Sequence, residues 1–341
     1  MYTTLICAYI GLHFKQVMIM KNCYPYILAV LLLTAFESKG QNTSISPINP
    51  TASGHGSGLQ YVQKTYATRV VLIGTGTPAI DPDRSGPCTA IIVNDTAYIV
   101  DMGPGLVRRA RSAQIRNAIP ALDPLKFRVV FVTHLHSDHT VGYPDLIFSP
   151  WTLGRRFPLE VYGPKGIKSM TEHLLEAYRE DIETRTNPNG NQRDFPAGHN
   201  VNAHEIKSGV IYKDNNVTVT AFATKHAMES YGYRFETKDR SIVISGDTNP
   251  TEATIAACNN CDVLIHEVHS PAWLESRPET FQQFASKYHT TTRELAELSK
   301  LARPKLLILY HWNAFSVEEL FREMSTLYPG HFVVARDLDV Y

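Results

Sequence analysis

The 341-residue chain is poor in cysteine, with five residues in all. Cys7 and Cys23 fall within a predicted leader, so the folded protein has too few thiols for a disulfide-rich scaffold. The pair Cys258-Asn-Asn-Cys261 has three interpretations: a disulfide in an oxidising compartment, half of a zinc site, or two ordinary thiols. A four-thiolate zinc site would need a second such pair, which the sequence lacks.

The chain also has no net charge, because Lys and Arg together number 33 and so do Asp and Glu. A strongly basic surface draws nucleic acid or anionic membranes over long distances, and this chain has no such excess. The balance of charge therefore argues against a polyanionic partner.

Long apolar runs are absent from the N-terminal region. The run Ile27–Phe36 is shorter than the about 20 residues that a stable transmembrane helix needs, so no stable membrane span is expected. It follows Lys21 and precedes small residues, which is typical of a secretory signal. We predict a signal peptide region over residues 1–40, with its start at Met20, and hence export to the periplasm or the extracellular space. A permanent membrane anchor is the alternative.

Residues 41–58, QNTSISPINPTASGHGSG, have almost no apolar content. Such a composition cannot bury enough surface to offset the entropy of ordering, so the segment is predicted to be a flexible linker. A single catalytic domain is predicted to occupy residues 59–341.

Short apolar runs recur along this domain and end in small or polar residues. They lie at 69–78, 89–94, 97–105, 127–139, 159–164, 217–226, 241–248, 262–269 and 305–312. Helical patterns lie at 104–118, 165–181, 251–257, 291–302 and 316–327. Thr291 and Glu294 form a capping box at the start of one of these helices. Alternating strands and helices predict a layered α/β domain whose functional groups gather along one edge of the sheets.

The stretch THLHSDHT at 133–140 has an unusual density of metal-binding side chains. Side chains alternate along an extended strand, so His134 and His136 point the same way and can bind one ion. Asp138 and His139 lie beyond a turn and can reach a second ion. Imidazole and carboxylate groups suit zinc or a similar divalent metal.

Two ions need more ligands than this stretch offers, and later strand ends supply them. We predict two Zn²⁺ or similar divalent ions per chain. The first ion would be bound by His134, His136 and His226, and the second by Asp138, His139 and His311. Asp247 would bridge the two ions.

The pattern His-x-His-x-Asp-His resembles the signature of the metallo-β-lactamase fold hydrolases. The resemblance covers residues 66–341 and implies a four-layer αββα sandwich with a dinuclear site along its edge. Within these hydrolases the sequence is most similar to the branch shared by ribonuclease Z and the zinc-dependent arylsulfatases. The supporting stretches include GTGTP at 74–78, VDMGPG at 100–105, YGPKGI at 162–167, YGYRFE at 231–236, SGDT at 245–248 and HEVHS at 266–270.

The resemblance also implies a catalytic pair near the leaving group, matched here by Glu267 and His289. A carboxylate beside an imidazole can keep it protonated, so that it donates a proton to a departing oxygen. A structural alternative is open for both: Glu267 as a cap of a backbone turn and His289 as a helix-entry residue. Asp138 is predicted to be catalytic as well as a ligand.

The substrate is predicted from the absence of an RNA-binding arm. The bacterial ribonuclease Z proteins that the chain resembles carry a long arm between the positions of His226 and Asp247, where this sequence has only 20 residues. The arylsulfatase-like branch lacks the arm and is often exported. We therefore expect a secreted sulfate- or phosphate-ester hydrolase in which a hydroxide bridging the metals attacks the ester.

The expected partner is accordingly a small-molecule ester, with no nucleic acid favoured. Two alternatives are open: a ribonuclease Z-like phosphodiesterase that processes tRNA 3′ ends, and a secreted metal-binding protein without catalysis. The sequence does not decide the oligomeric state, and a homodimer is one alternative.

Overall fold

The computed structural model describes residues 67–341. The predicted leader at 1–40 and the linker at 41–58 lie outside the described residues, so both boundaries and export stay predictions. Among residues 67–341, no helix is long and apolar enough to cross a membrane.

One sheet has six strands in the order β1-β2-β3-β4-β5-β6. Their bounds are β1 Thr68–Gly74, β2 Cys88–Val93, β3 Thr96–Val100, β4 Val129–Phe131, β5 Leu159–Gly163 and β6 Val201–Glu205. The first three strands pair antiparallel, and β3 to β6 run parallel. Strand β2 is buried on both faces, as expected for a strand inside a layered domain.

The second sheet has seven strands in the order β13-β12-β11-β10-β9-β8-β7. Their bounds are β7 Gly209–Lys213, β8 Thr218–Ala223, β9 Tyr231–Glu236, β10 Ser241–Ile244, β11 Val263–His269, β12 Leu306–Asn313 and β13 Phe332–Val334. Strands β10 to β13 are parallel, and β7 to β10 are antiparallel.

Helices connect and cover these strands. Their bounds are α1 Leu106–Arg116, α2 Ser137–Thr140, α3 Tyr143–Thr152, α4 Ile167–Ala177, α5 Arg179–Thr186, α6 Glu252–Cys258, α7 Pro271–Glu275, α8 Glu279–Tyr288, α9 Thr292–Ala302 and α10 Val317–Leu327. The predicted capping box is present at α9, with Thr291 as N-cap and Glu294 reaching back to it. The single helix expected over 165–181 is two helices, α4 and α5, that meet at Tyr178.

Three apolar clusters define four layers. Between the sheets, Leu72 and Phe131 of one sheet pack with Phe235 and Ile308 of the other. An outer cluster joins the first sheet to α1, α3 and α4, and another joins the second sheet to α6, α9 and α10. The predicted αββα sandwich is therefore confirmed, and burial of apolar surface on both sides of each sheet holds the layers together.

The Cys258–Cys261 pair is a disulfide, with the two Cα atoms 4.8 Å apart. Of the three interpretations, half of a zinc site and two ordinary thiols are therefore excluded. Cys88 is a buried free cysteine.

Arg155 clamps the helix that follows the metal-binding segment. The residue is 1% exposed, and its guanidinium donates to the carbonyls of Leu146 and Ile147 in α3 at 2.8 and 2.7 Å, and to that of Gly198 at 3.0 Å. Burial lowers the pKa of Arg155 to about 10, so the side chain stays charged at neutral pH. It therefore donates to three buried carbonyls from two separate segments of the chain.

We expect Arg155→Met to lower the free energy of unfolding by about 3 kcal/mol, because several charged hydrogen bonds are lost and their acceptors stay buried. Urea denaturation followed by circular dichroism measures this change. The matched control is Arg156→Met, since the exposed Arg156 guanidinium lies over the Phe195 ring at 4.1 Å and should contribute less than about 1 kcal/mol. Equal stability of the two variants would contradict the clamp.

Candidate metal centre and active site

Three imidazoles converge beyond the carboxyl end of β4. His134 is fully buried, and His136 precedes the short helix α2. Nε2 of His134 lies 3.0 Å from Nδ1 of His136, and Nε2 of His226, which follows β8, lies 3.0 Å from the same atom. The three nitrogens are close enough to bind one ion, and their role as ligands stays a prediction.

A second group forms around α2. Asp138 Oδ2 lies 3.1 Å from Nε2 of His311 and 3.5 Å from Nε2 of His139. His311 is the extra residue of a β-bulge, because Glu267 of β11 pairs with Tyr310 and the next pairing skips one residue of β12. Its φ of 46° is unusual for a residue other than glycine, and a bulge of this kind re-aims a side chain beside a site. The catalytic role predicted for Asp138 stays a prediction.

Asp247 lies between the two groups. Its Oδ1 is 3.3 Å from Nε2 of His139 and 3.5 Å from Nδ1 of His311, and its Oδ2 is 3.9 Å from Nε2 of His134. Gly246 before it has a φ of 61°, and a Cβ there would lie 2.8 Å from Cβ of Thr133. Glycine therefore lets the chain turn tightly against Thr133, which follows β4, and present Asp247 to both groups.

Hydrogen bonds fix which ring nitrogens face the centre. Asp101 accepts from Nδ1 of His139 at 2.9 Å and from Oγ1 of Thr133 at 2.9 Å. Since that hydroxyl proton goes to Asp101, Oγ1 of Thr133 accepts from Nδ1 of His134 at 3.0 Å. The Tyr288 carbonyl similarly accepts from Nδ1 of His226 at 3.2 Å. Nε2 of each of the three histidines is left as a lone pair, which is what a metal ligand requires.

Asp101 and Thr133 are functional residues that the sequence did not reveal. Asp101 is fully buried and directly follows β3, in the stretch VDMGPG. Its backbone lies beside β4 because the two strands run parallel, and its N–H donates to the Phe131 carbonyl at 2.8 Å. The signal available in the sequence was a lone acidic residue at the end of an apolar run, which is compatible with many roles.

The donor set fits a metal. Within residues 67–341, His139 Nε2, Asp247 Oδ1 and His311 Nδ1 are buried atoms without a hydrogen-bond partner, and they face one another. Buried polar atoms left unpaired are destabilising, and a divalent cation would satisfy all three. Imidazole and carboxylate are also the ligands that zinc prefers.

The charges of His226, His134 and Asp247 agree with this fit. Burial lowers the pKa of His226 to about 4 and that of His134 well below its usual value, so both are neutral, as ligands must be. Burial opposes ionisation of Asp247, but His311 and His139 outweigh it and lower the pKa of this carboxyl. His139 differs from them: burial disfavours a proton on it, yet Asp247 and Asp101 raise its pKa, because two carboxylates favour positive charge between them. A cation bound next to Asp247 would have to displace that proton before His139 could act as a ligand.

Glu267 and His289 form a pair next to these groups. Nδ1 of His289 donates to the Glu267 carboxylate, with both oxygens 2.9 Å away. The backbone N–H of Thr248 donates to the same carboxylate at 2.6 Å and fixes its position. The His289 side chain is 14% exposed, whereas that of Glu267 is 2% exposed. Nδ1 of His289 also lies 4.0 Å from Oδ2 of Asp247, so the pair adjoins the ligand that touches both groups.

Each member of the pair affects the pKa of the other. Burial disfavours the imidazolium form of His289, but the Glu267 carboxylate outweighs this and raises the pKa of His289 to about 9. Burial in turn raises the pKa of Glu267, and the charged His289 opposes that shift. At neutral pH the arrangement is an imidazolium held by a carboxylate.

The structure brings all of the predicted site residues together at one edge of the sandwich. Their roles as ligands and catalysts stay predictions, since proximity alone assigns none. The residues are His134, His136, Asp138, His139, His226, Asp247, Glu267, His289 and His311.

Comparisons with known proteins place the chain in a family. The model of the beta-lactamase superfamily domain matches residues 96–312, which is more than half of the chain. Ribonuclease Z of Mycobacterium sp. (strain KMS) is 32% identical over 248 residues, covering 71% of this chain and 83% of that protein. Ribonuclease BN of Enterobacter sp. (strain 638) is 29% identical, covering 76% of this chain and 95% of that protein.

Solved structures show the same fold. The short form of human tRNase Z matches with a TM-score of 0.61 and 22% identity, covering 80% of this chain and 98% of that one. The metallo-beta-lactamase fold protein YhfI from Bacillus subtilis matches with a TM-score of 0.60 and 19% identity, with the same coverage.

The expectation of a small-molecule ester partner, with no nucleic acid favoured, is wrong. The relatives that match most of the chain are ribonucleases, and these findings give no support to an arylsulfatase-like substrate. The expectation relied on the neutral overall charge, which describes the long-range field of the protein but not the local contacts of a site.

The two-sheet fold, the family match and the convergence of histidines and aspartates lead to one assignment. The chain belongs to the beta-lactamase superfamily, as a metallo-β-lactamase fold domain of the metal-dependent hydrolase type with ribonuclease Z homologues.

Proposed function

We propose that the protein is a metal-dependent phosphodiesterase that cleaves RNA in the manner of ribonuclease Z. The ribonuclease relatives support the choice of a phosphodiester over other esters. The observation that carries the proposal is the position of the Glu267–His289 pair, 4.0 Å from the aspartate that contacts both ligand groups. A proton donor there stands where the oxygen leaving a diester bound at the centre would need it.

The centre would hold two ions. One would be bound by His134, His136 and His226, the other by Asp138, His139 and His311, with Asp247 touching both groups. Ions bound there would supply Lewis acidity, neutralise charge on the phosphodiester and activate water.

The protein's own residues handle the leaving group. As the phosphorus–oxygen bond breaks, His289 donates a proton to the departing ribose oxygen, and Glu267 holds the imidazole in its charged form until then. The Thr248 N–H keeps the carboxylate aligned with the ring. His289 becomes neutral in this step and must regain a proton from solvent, which its partial exposure allows.

The hairpin between His226 and Asp247 bears on how RNA is held. Strands β9 and β10 are joined by a tight turn, in which Thr237 N–H donates to the Arg240 carbonyl at 2.9 Å. A long arm is therefore missing from this hairpin. RNA would have to be held by the surface of the domain around the site.

The proposal is tested with a 5′-labelled precursor tRNA that carries a 3′ trailer. We expect zinc-loaded protein to cleave the trailer, and chelation to reduce the rate by on the order of a thousandfold, with recovery on adding Zn²⁺. Gel analysis gives the site and rate, and bis-p-nitrophenyl phosphate is assayed in parallel. Turnover of that small diester without cleavage of any RNA would overturn the RNA substrate, and failure with both would overturn the phosphodiesterase itself.

A further inference from the structure

Aromatic rings form a closed circuit beside His289. The centroid of the Phe284 ring is 5.6 Å from that of His289 and 6.4 Å from that of Phe281. The centroid of the Trp273 ring is 5.9 Å from that of Phe281 and 6.4 Å from that of His269. The His269 centroid is in turn 5.6 Å from that of His289, which closes the circuit. These rings come from α7, α8 and the end of β11, so separate elements build one aromatic surface at the catalytic pair.

The sequence of α8 places its rings on one face. Phe281, Phe284 and Tyr288 are three and four residues apart, which aligns them along one side of a helix. Phe284 also lies 6.5 Å from the His226 ring and 5.1 Å from Tyr288, centroid to centroid. The stripe therefore runs outward from the candidate metal centre.

The rings differ in how far they are covered by other side chains of the protein. The Trp273 ring is already in contact with two groups, because the His269 ring stacks near it and the Arg277 guanidinium lies 4.7 Å from its centroid. Phe284 is half-buried, and Phe281 is 37% exposed. Phe284 adjoins His289, and Phe281 extends the apolar surface outward from Phe284 into solvent. A flat, partly apolar ligand would cover such a surface.

We propose that Phe284 and Phe281 form a stacking surface for one nucleobase of the RNA, that of the nucleoside whose oxygen leaves. The inference rests on the proposed ribonuclease function and names a subsite for it. His289 gives its proton to that nucleoside's oxygen, and Phe284 adjoins His289, so base and ring lie on the same side of the scissile bond. Aromatic rings stack on any base, so this surface would favour an unpaired nucleotide without selecting its identity.

The stacking surface also supplies a means of holding RNA that the short β9–β10 hairpin does not. A single-stranded junction can place a base on an aromatic ring, whereas a base inside a duplex is already stacked on its neighbours. Cleavage next to an unpaired nucleotide is the preference that follows.

The test compares two RNA substrates that differ only in whether the nucleoside on the leaving side carries a base. We expect the wild-type protein to cleave the intact substrate with a kcat/KM about tenfold above that of the abasic one, since stacking on an aromatic side chain is worth roughly that factor. Phe281→Leu keeps the apolar bulk but removes the ring, and should bring this ratio close to one. Phe284→Leu should do the same.

A merely structural role would lower kcat/KM for both substrates by the same factor and leave the ratio unchanged, which would overturn the inference. Phe321→Leu is the matched control, because Phe321 is 52% exposed on α10 and contacts Phe332. It should keep both the rates and the ratio. A wild-type protein that cleaves RNA with no preference for the base would defeat the subsite alone, whereas no RNA cleavage at all would defeat the proposed function with it.

Discussion

Asp247→Asn is expected to lower turnover of RNA and of bis-p-nitrophenyl phosphate by on the order of a thousandfold, because metal-derived stabilisation worth several kcal/mol is lost. It is also expected to reduce bound zinc from about two equivalents per chain to one or fewer. Asparagine preserves the shape of the side chain but removes its charge. The effect therefore reports on the electrostatics of the centre rather than on packing.

The size of this effect follows from where Asp247 lies. It is 3% exposed and contacts histidines of both ligand groups, at 3.3 Å for His139, 3.5 Å for His311 and 3.9 Å for His134. Any two cations bound there would repel each other, and an anionic carboxylate between them offsets that repulsion. Loss of any other single ligand would remove donors from one group only.

Metal content by plasma mass spectrometry and thermal unfolding with and without zinc give readouts that do not depend on activity. Added zinc should raise the melting temperature of the wild-type protein, since binding to the folded state stabilises it, and the rise should be smaller for Asp247→Asn. Asp145→Asn is the control, as that carboxylate lies in α3 and pairs with Arg108 at 3.6 Å. Two full equivalents of zinc in Asp247→Asn would show that the residue does not join the two groups.

Much of this site could be predicted from sequence because its ligands lie at the ends of apolar strands. Asp247 and His311 lie near the carboxyl ends of β10 and β12, which run parallel in the second sheet and meet at one edge of it. His134 follows β4 of the first sheet, and it approaches them because the two sheets are stacked in the sandwich. The short, dense motif added residues whose spacing alone sets their orientation.

Asp101 shows where this reasoning stops. Its role depends on a hydrogen bond to His139, 38 residues away, and on the pairing of β3 with β4. The bulge that turns His311 toward the centre is likewise a mismatch between two strands, β11 and β12. Neither feature leaves a periodic or local signal in the chain.

The strands and helices that the sequence did not predict were missed for several physical reasons. Strands β6 and β7 are only partly buried, so their residues do not show the apolar runs that mark the inner strands. Helix α3 contains Pro144 and Pro150, which ordinarily argue against a helix, although its first turn tolerates proline. Helix α8 is amphipathic, but its sequence mixes polar and aromatic residues without a clear apolar run. The sequence therefore did not predict the circuit of rings beside His289.

The prediction of the substrate failed for a different reason. A short insertion and a neutral charge were treated as evidence against RNA, but each describes one way of binding RNA rather than the reaction performed. The proposed chemistry relies on the pair Glu267–His289 and the centre next to it, and these are compatible with a phosphodiester whatever holds the rest of the substrate.

His289→Ala is expected to lower kcat by about 10²- to 10⁴-fold for RNA, and by roughly tenfold or less for bis-p-nitrophenyl phosphate. The ribose oxygen that leaves RNA is strongly basic and needs a proton as its bond to phosphorus breaks. The p-nitrophenolate ion is stable without one. Comparing the two substrates separates proton donation from general damage, which would lower both rates alike.

Glu267→Gln tests the other half of the pair through pH. Its carboxylate outweighs burial and raises the pKa of His289 to about 9, so the wild-type rate with RNA should be sustained through neutral pH and fall as the pH rises past about 9. Without the carboxylate, burial lowers the pKa of His289, and the proton donor is lost at lower pH. The alkaline limb of the pH–rate profile should therefore move downward by more than one unit.

Combining the two variants tests whether Glu267 acts through His289. In the His289→Ala background, Glu267→Gln should cost little further activity, because the group that it keeps charged is gone. His173→Ala is the control for a histidine, as His173 is exposed on α4 and donates to the Ser169 carbonyl. Equal losses for good and poor leaving groups, or an unmoved alkaline limb, would leave the pair as a structural link between β11 and the start of α9.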